Sequence, residues 1–89
     1  MHNQCYYKEA NTIFAKSLKL AIKNTIKGAV NCHLLDDTLI VDIYGANNII
    51  FKYTLPNLSS EIVQGLSSER LAQSIVKRYK QYITNLFFL

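Results

Sequence analysis

The apolar residues of this chain change their period twice, and that double change constrains the fold more than any other feature. From about Lys8 to Lys27, Phe14, Leu18, Ile22 and Ile26 recur every four positions with Ala21 and Thr25 between them, the stripe of an amphipathic helix. Gly28 follows, where a left-handed residue would close that helix. The period then falls to two. Val30, Cys32 and Leu34 alternate with Asn31, His33 and Leu35; after Asp36-Asp37, Leu39, Val41 and Ile43 alternate with Ile40, Asp42 and Tyr44. Gly45-Ala46-Asn47-Asn48 supplies a second turn, and Ile49, Phe51, Tyr53 and Leu55 alternate with Ile50, Lys52 and Thr54 up to Pro56.

The helical period returns after Pro56. Leu58 to Leu66 reads as a short helical turn opened by Ser59 or Ser60 and closed at Gly65. Ser67 is the expected N-cap of a last helix reaching about Asn85, with Glu69 in its first turn. Leu71, Ala72, Ile75, Val76, Tyr79, Tyr82, Ile83 and Leu86 form its apolar stripe. Arg70, Lys77, Lys80 and Gln81 lie on the far side.

This order predicts an α+β domain, α-β-β-β-α, with a three-stranded antiparallel meander and both helices packed on one sheet face. That packing buries all three apolar stripes together. At 89 residues there is room for one domain, 1–89, and its 49% hydrophobic against 18% charged composition is that of a folding chain. Residues 1 to 7 are expected to be a mobile N-terminal segment.

Packing both helices on one face leaves the other open. With one of the two strand alternations inward, the open face carries Leu35, Ile40, Tyr44 and Ile50 beside His33, Asp42, Lys52 and Thr54. That is more apolar than a solvated sheet surface needs, and Leu35, Ile40, Tyr44, Ile50 and Lys52 are the candidate partner face. Asp42 is expected to interact with Lys52 across the strands, and Asp36 and Asp37 to be ordinary turn residues. Tyr44, with Tyr6 and Tyr7, is free for partner contact, whereas Tyr53, Tyr79 and Tyr82 fit the core. The apolar end Leu86-Phe87-Phe88-Leu89 is expected to pack on the domain or on a second subunit.

Charge supplies the second candidate surface. Net charge is +4, and Lys16, Lys19, Lys23 and Lys27, spaced by three, four and four residues, share one arc of the first helix. With Arg70, Lys77 and Lys80 they are candidate contacts for phosphate or an acidic partner. A solvated helix face also uses lysines in this way. Only two arginines occur, and no aromatic-basic interleaving marks a stacking platform for nucleic acid.

Catalytic and metal chemistry find little support. Cys32 and His33 are adjacent on a strand and point to opposite faces, so they cannot chelate one ion together. There is no Gly-rich phosphate loop, G-x-S-x-G or H-E-x-x-H pattern. Cys5 and Cys32 are too few for a disulfide scaffold and read as reduced thiols of a cytoplasmic protein. No apolar run suits a signal peptide or a membrane span, so neither export nor membrane contact is expected, and no cofactor.

The α-β-β-β-α order resembles that of double-stranded RNA binding domains in topology alone. Here the first hairpin turn is Asp36-Asp37, which repels phosphate, and the last helix opens with Ser67-Ser68-Glu69-Arg70 where that family has a lysine cluster. No binding residues carry over from it. The stretches Asp37-Thr38-Leu39-Ile40-Val41-Asp42-Ile43-Tyr44 and Ile75-Val76-Lys77-Arg78-Tyr79-Lys80-Gln81-Tyr82-Ile83, in a compact Lys- and Asn-rich chain, resemble small accessory proteins of phages and prophages of Gram-positive bacteria, some of them anti-CRISPR proteins. This resemblance implies a non-enzymatic inhibitor that occupies the surface of a host or phage complex, for instance a defence nuclease, by protein-protein contact. The positive charge departs from acidic, DNA-mimicking members. A nucleic-acid binding module using the basic helix face, and a structural domain dimerising through the sheet face or the C-terminal apolar residues, are the alternative expectations.

Overall fold

The computed structural model describes the backbone of residues 2–88, and side chains from Lys8 to Phe87 apart from Asn47. The first helix begins at His2, six residues before the expected start at about Lys8, so the backbone of residues 2–7 belongs to it; expectations for the side chains of Cys5, Tyr6, Tyr7, Phe88 and Leu89 fall outside the described part. Helix α1 is His2–Lys23, followed by strands β1, Ala29–Leu35, β2, Thr38–Tyr44, and β3, Ile50–Leu55. A short helix α2, Leu58–Val63, and a long helix α3, Ser68–Phe88, complete the α+β order. The strands form an antiparallel meander in the order β1-β2-β3, as the period of two and the short turns require.

Register sorts the strand residues into two faces. Val30, Ile43 and Phe51 share one row, Cys32, Val41 and Tyr53 the next, and Leu34, Leu39 and Leu55 the third. This face meets the helices. Leu39, Val41 and Ile43 of the central strand are fully buried against Phe14, Leu18 and Ile22 of α1, Leu58 of α2, and Leu71, Ile75 and Tyr79 of α3. The inner residues of β3 are only half-buried, so the edge of the core is finished by aromatic contacts. Phe51 packs on Tyr79 and Tyr82 with ring centroids 5.9 and 5.5 Å away, and the Arg78 guanidinium stands 5.7 Å from the Tyr53 ring centre.

Both long helices run the same way along the sheet. Asn11 of α1 lies at the β1–β2 turn, while the chain leaving α1 reaches Tyr44 at the other end; α3 starts beside α2 and carries Tyr79 to Gly45. Helices of 22 and 21 residues are about 33 and 31 Å long, against about 23 Å for a seven-residue strand. Each therefore overhangs the sheet, at opposite ends, which accounts for a longest axis of 50 Å against 22 and 21 Å.

That overhang corrects the reading of the α3 stripe. Tyr79 is its last buried residue and Ile83 the last to pack against the core; Tyr82 keeps its contact with Phe51 but is 39% exposed, and Leu86 and Phe87, past the end of the sheet, are 51% and 56% exposed. Leu86 and Phe87 do not pack on the domain.

The end of α1 differs as well. The helix stops at Lys23, and the chain turns with Thr25 N–H donating to the Ile22 carbonyl at 3.0 Å and Ile26 N–H to the same carbonyl at 3.1 Å. Gly28 is thus not a helix cap. It has φ of +138° and passes so close to β2 that a Cβ there would stand 2.8 Å from the Tyr44 carbonyl oxygen. The expected boundary at α3 holds: Ser67 caps it, its Oγ accepting from Arg70 N–H at 3.3 Å. Gly65, φ +101°, closes α2, with Leu66 N–H reaching the Glu61 carbonyl at 2.9 Å.

Candidate interaction surface

On the outer face the same register sets Ala29, Tyr44 and Ile50 in one row, Asn31, Asp42 and Lys52 in the next, then His33, Ile40 and Thr54, and finally Leu35 and Thr38. No helix covers these rows. All five candidate partner residues, Leu35, Ile40, Tyr44, Ile50 and Lys52, lie on this face. Leu35 is 63% exposed, Ile50 54% and Tyr44 43%; Ile40 is half-buried and Lys52 exposed. Three large apolar side chains kept in water on one sheet face are a cost that a docked partner would remove.

Asp42 sits at the centre of this face and is 7% exposed, hemmed in by its longer neighbours. Its Oδ1 has no hydrogen-bond partner. Lys52 stands opposite it in register, as the expected cross-strand neighbour, but does not supply a hydrogen bond to Oδ1. Beside it the Asn31 amide lies 3.4 Å from His33 Nδ1. A carboxylate held between Val41 and Ile43 on a central strand was the signal in the sequence; its lack of a partner was not readable there.

The basic residues do not form one surface. Lys27 lies beyond the end of α1, so the expected arc keeps three lysines, Lys16, Lys19 and Lys23. Lys16 and Lys19 line a groove of about 390 Å³ between α1 and β1, with Cys32, His33 and Leu34 opposite. Lys77 and Lys80 line a different groove, of about 680 Å³, on the α3 flank of α1 with Ala21, Thr25 and Val76. Arg70 is exposed near the start of α3. Sequence reading also missed Ile13 and Leu20, seven residues apart on α1 and 61% and 62% exposed. Their spacing places them together on a third helix face.

Burial pushes the Cys32 thiol up from 9.0 to about 11, opposed by Lys19 and reinforced by Asp42. The thiolate is the reacting form, so a rise of two pH units leaves about 100-fold less of it at pH 8. In a Cys5→Ser background, iodoacetamide should modify Cys32 in the folded protein about 100-fold more slowly than after denaturation. Mass spectrometry of timed samples checks this.

Asp37 departs most from its expected role. Its Oδ1 accepts from Ser59 N–H at 2.9 Å, Ser59 Oγ at 2.6 Å and Asn11 Nδ2 at 3.0 Å, and its carbonyl accepts from Leu58 N–H at 2.8 Å. Asn57, in the left-handed conformation, makes no side-chain cap for α2; the carboxylate of the β1–β2 turn does so from outside the helix. Asn11, 4% exposed, donates also to Ser59 Oγ at 3.0 Å, while its Oδ1 has no partner. This cluster joins α1, the first hairpin and α2, so its work is structural. Among the described residues no three His, Cys, Asp or Glu side chains gather as metal ligands, and no helix is long and apolar enough to cross a membrane. No family model matches the chain, and neither the curated proteins nor the solved structures compared with it give a match.

Proposed function

We propose that this protein is a non-enzymatic binding protein of the cytoplasm that acts by protein-protein contact through the outer face of its sheet. The observation that carries the reading is the uncovered face itself, with Tyr44, Ile50 and Leu35 exposed around an Asp42 that lacks a hydrogen-bond donor. An apolar rim with one desolvated charge suits a specific, modest-sized contact. The setting that fits the sequence resemblance is a phage-type accessory protein that occupies a host complex, a defence nuclease among the targets. Placement of Lys16 and Lys19 apart from Lys77 and Lys80 favours this reading over nucleic acid, because a duplex is held by cations along one continuous surface.

The face can be disabled without touching the core, since Ile40 and Tyr44 both point away from the helices. Ile40→Ser combined with Tyr44→Ser should reduce capture of a host protein from lysate by at least about tenfold, a loss of ~1.4 kcal/mol or more, with circular dichroism unchanged. Undiminished capture by the double variant would remove the sheet face from the proposal.

A further inference from the structure

We propose that, when no host partner is docked there, the outer sheet face is occupied by a second copy of this chain, held by two reciprocal pairs between Asp42 of one copy and Lys52 of the other. The inference rests on the reading of that face as a contact surface, and it names what covers the face in the isolated protein. Asp42 and Lys52 are the only formal charges among the outward-facing strand residues, so the face is neutral although the chain carries +4. A neutral face with one acid and one base draws neither a polyanion nor a strongly basic partner. It is complementary to itself.

The register supplies the geometry. Face-to-face packing of two copies by a two-fold axis puts that axis in the plane between the sheets, and an isologous contact makes every pair occur twice. An axis parallel to the strands and midway between β2 and β3 exchanges those strands, so each residue faces the second copy's equivalent of its own cross-strand neighbour. In the β2–β3 register Asp42 is opposite Lys52, Tyr44 opposite Ile50 and Ile40 opposite Thr54. Across the axis Asp42 therefore meets Lys52 of the second copy, Tyr44 meets its Ile50, and both contacts recur. At a sheet spacing of about 10 Å, one short and one long side chain meet end to end. The Asp42 carboxylate, 7% exposed and with no hydrogen-bond partner for Oδ1 within its own chain, and the exposed Lys52 ammonium are the two groups this operation brings together.

The contact is small. Two strands of six paired residues, at about 3.3 Å per residue and about 4.8 Å apart, present roughly 200 Å² in projection, well under the ~800 Å² per partner of a standard interface. Association is accordingly weak and reversible, and it is to be measured at high concentration.

Sedimentation equilibrium of the full chain from about 10 µM to 1 mM tests the inference, a range that covers the weak affinities expected of an interface this small. The weight-average mass should rise from 10.2 kDa toward twice that value. Lys52→Glu sets acid against acid twice and should weaken self-association at least tenfold, as should Asp42→Lys, which sets base against base. An equimolar mixture of the two variants makes both cross pairs opposite in charge and should restore association. If Asp42→Lys fails to fold, Lys52→Glu at its exposed site still decides the matter: self-association equal to that of the unmodified chain overturns the proposal. So does a mass of 10.2 kDa throughout the range. If the chain is monomeric but Ile40→Ser with Tyr44→Ser abolishes capture of a different protein, self-pairing fails and the contact-surface reading stands. Monomeric behaviour with undiminished capture removes both.

Discussion

Asp37→Ala should destabilise the protein by about 2 kcal/mol, a large effect for a residue in a two-residue hairpin turn. The substitution keeps the carbonyl bond to Leu58 N–H but deletes all three bonds accepted by Oδ1. A lost helix cap costs about 0.5–2 kcal/mol and a hydrogen bond to a charged group about 1.5–3. The three are not additive, and the partly exposed site lets water replace some of them, so ~2 kcal/mol is the expected total. For a chain of 89 residues that lowers Tm by about 8–16 °C. Asp36→Asn, at the left-handed position beside it, retains a residue type that tolerates φ of +55° and should cost less than about 0.5 kcal/mol. Urea denaturation of the two variants checks both.

The same site predicts an acid dependence. The Ser59 hydroxyl bond, outweighing partial burial and aided by the Ser59 amide and Asn11, holds the Asp37 carboxyl below the usual carboxylate range. A carboxylate with a depressed folded pKa contributes stability that is fully present above its unfolded value and is lost as pH falls through the folded one. Unfolding midpoints measured from neutral pH down through the carboxylate range should therefore fall more steeply for the unmodified chain than for Asp37→Ala. Parallel curves would show that the cluster carries no charge-dependent stability.

Gly28→Ala should cost about 3 kcal/mol, for two separable reasons. At φ of +138° an L-residue is strained, at about 1–3 kcal/mol, and the new Cβ would also stand 2.8 Å from the Tyr44 carbonyl oxygen, which is fixed backbone of the central strand. Relief requires Ala29 to move from its pairing with Tyr44, at the row where β1 begins. Gly65→Ala is the internal comparison: its φ is +101°, but nothing lies within 4 Å of an added Cβ, so only the conformational cost of about 1 kcal/mol applies. Denaturation midpoints of the two variants measure the difference; equal losses would mean that the close approach to Tyr44 is relieved at no cost.

Much of the architecture was legible because it is written in local periodicity. Three runs of alternating apolar residues bounded by Asp36-Asp37, by Gly45 to Asn48 and by Pro56 admit few arrangements other than a meander, and the observed strands fall within a residue or so of those runs. Ser67 and Gly65 acted as punctuation for the same reason, since cap bonds join groups only three to five residues apart, an amide to the Ser67 hydroxyl at one end and helix carbonyls to the N–H groups of Gly65 and Leu66 at the other. The end of α1 was misplaced because Gly28 served two readings. As a helix stop it looked sufficient, but its use is to let the chain pass the Tyr44 carbonyl, a constraint imposed by a strand that comes later. The candidate face was half legible: alternation placed Leu35, Ile40, Tyr44, Ile50 and Lys52 together, yet either alternation could in principle have pointed inward.

The sequence by itself therefore determined the elements, their order and the two possible faces of each strand, since side-chain period and turn chemistry act over a few residues. Only the tertiary structure decided which sheet face is covered, that the α3 stripe runs out of core beyond Ile83, and that Asp42 is buried with its Oδ1 lacking a hydrogen-bond partner. It also decided the use of Asp37, whose partners Asn11 and Ser59 lie 26 and 22 positions away. Those outcomes depend on helix length against strand length and on which groups folding brings within about 3 Å, the reach of a hydrogen bond, and no local pattern of residues encodes either.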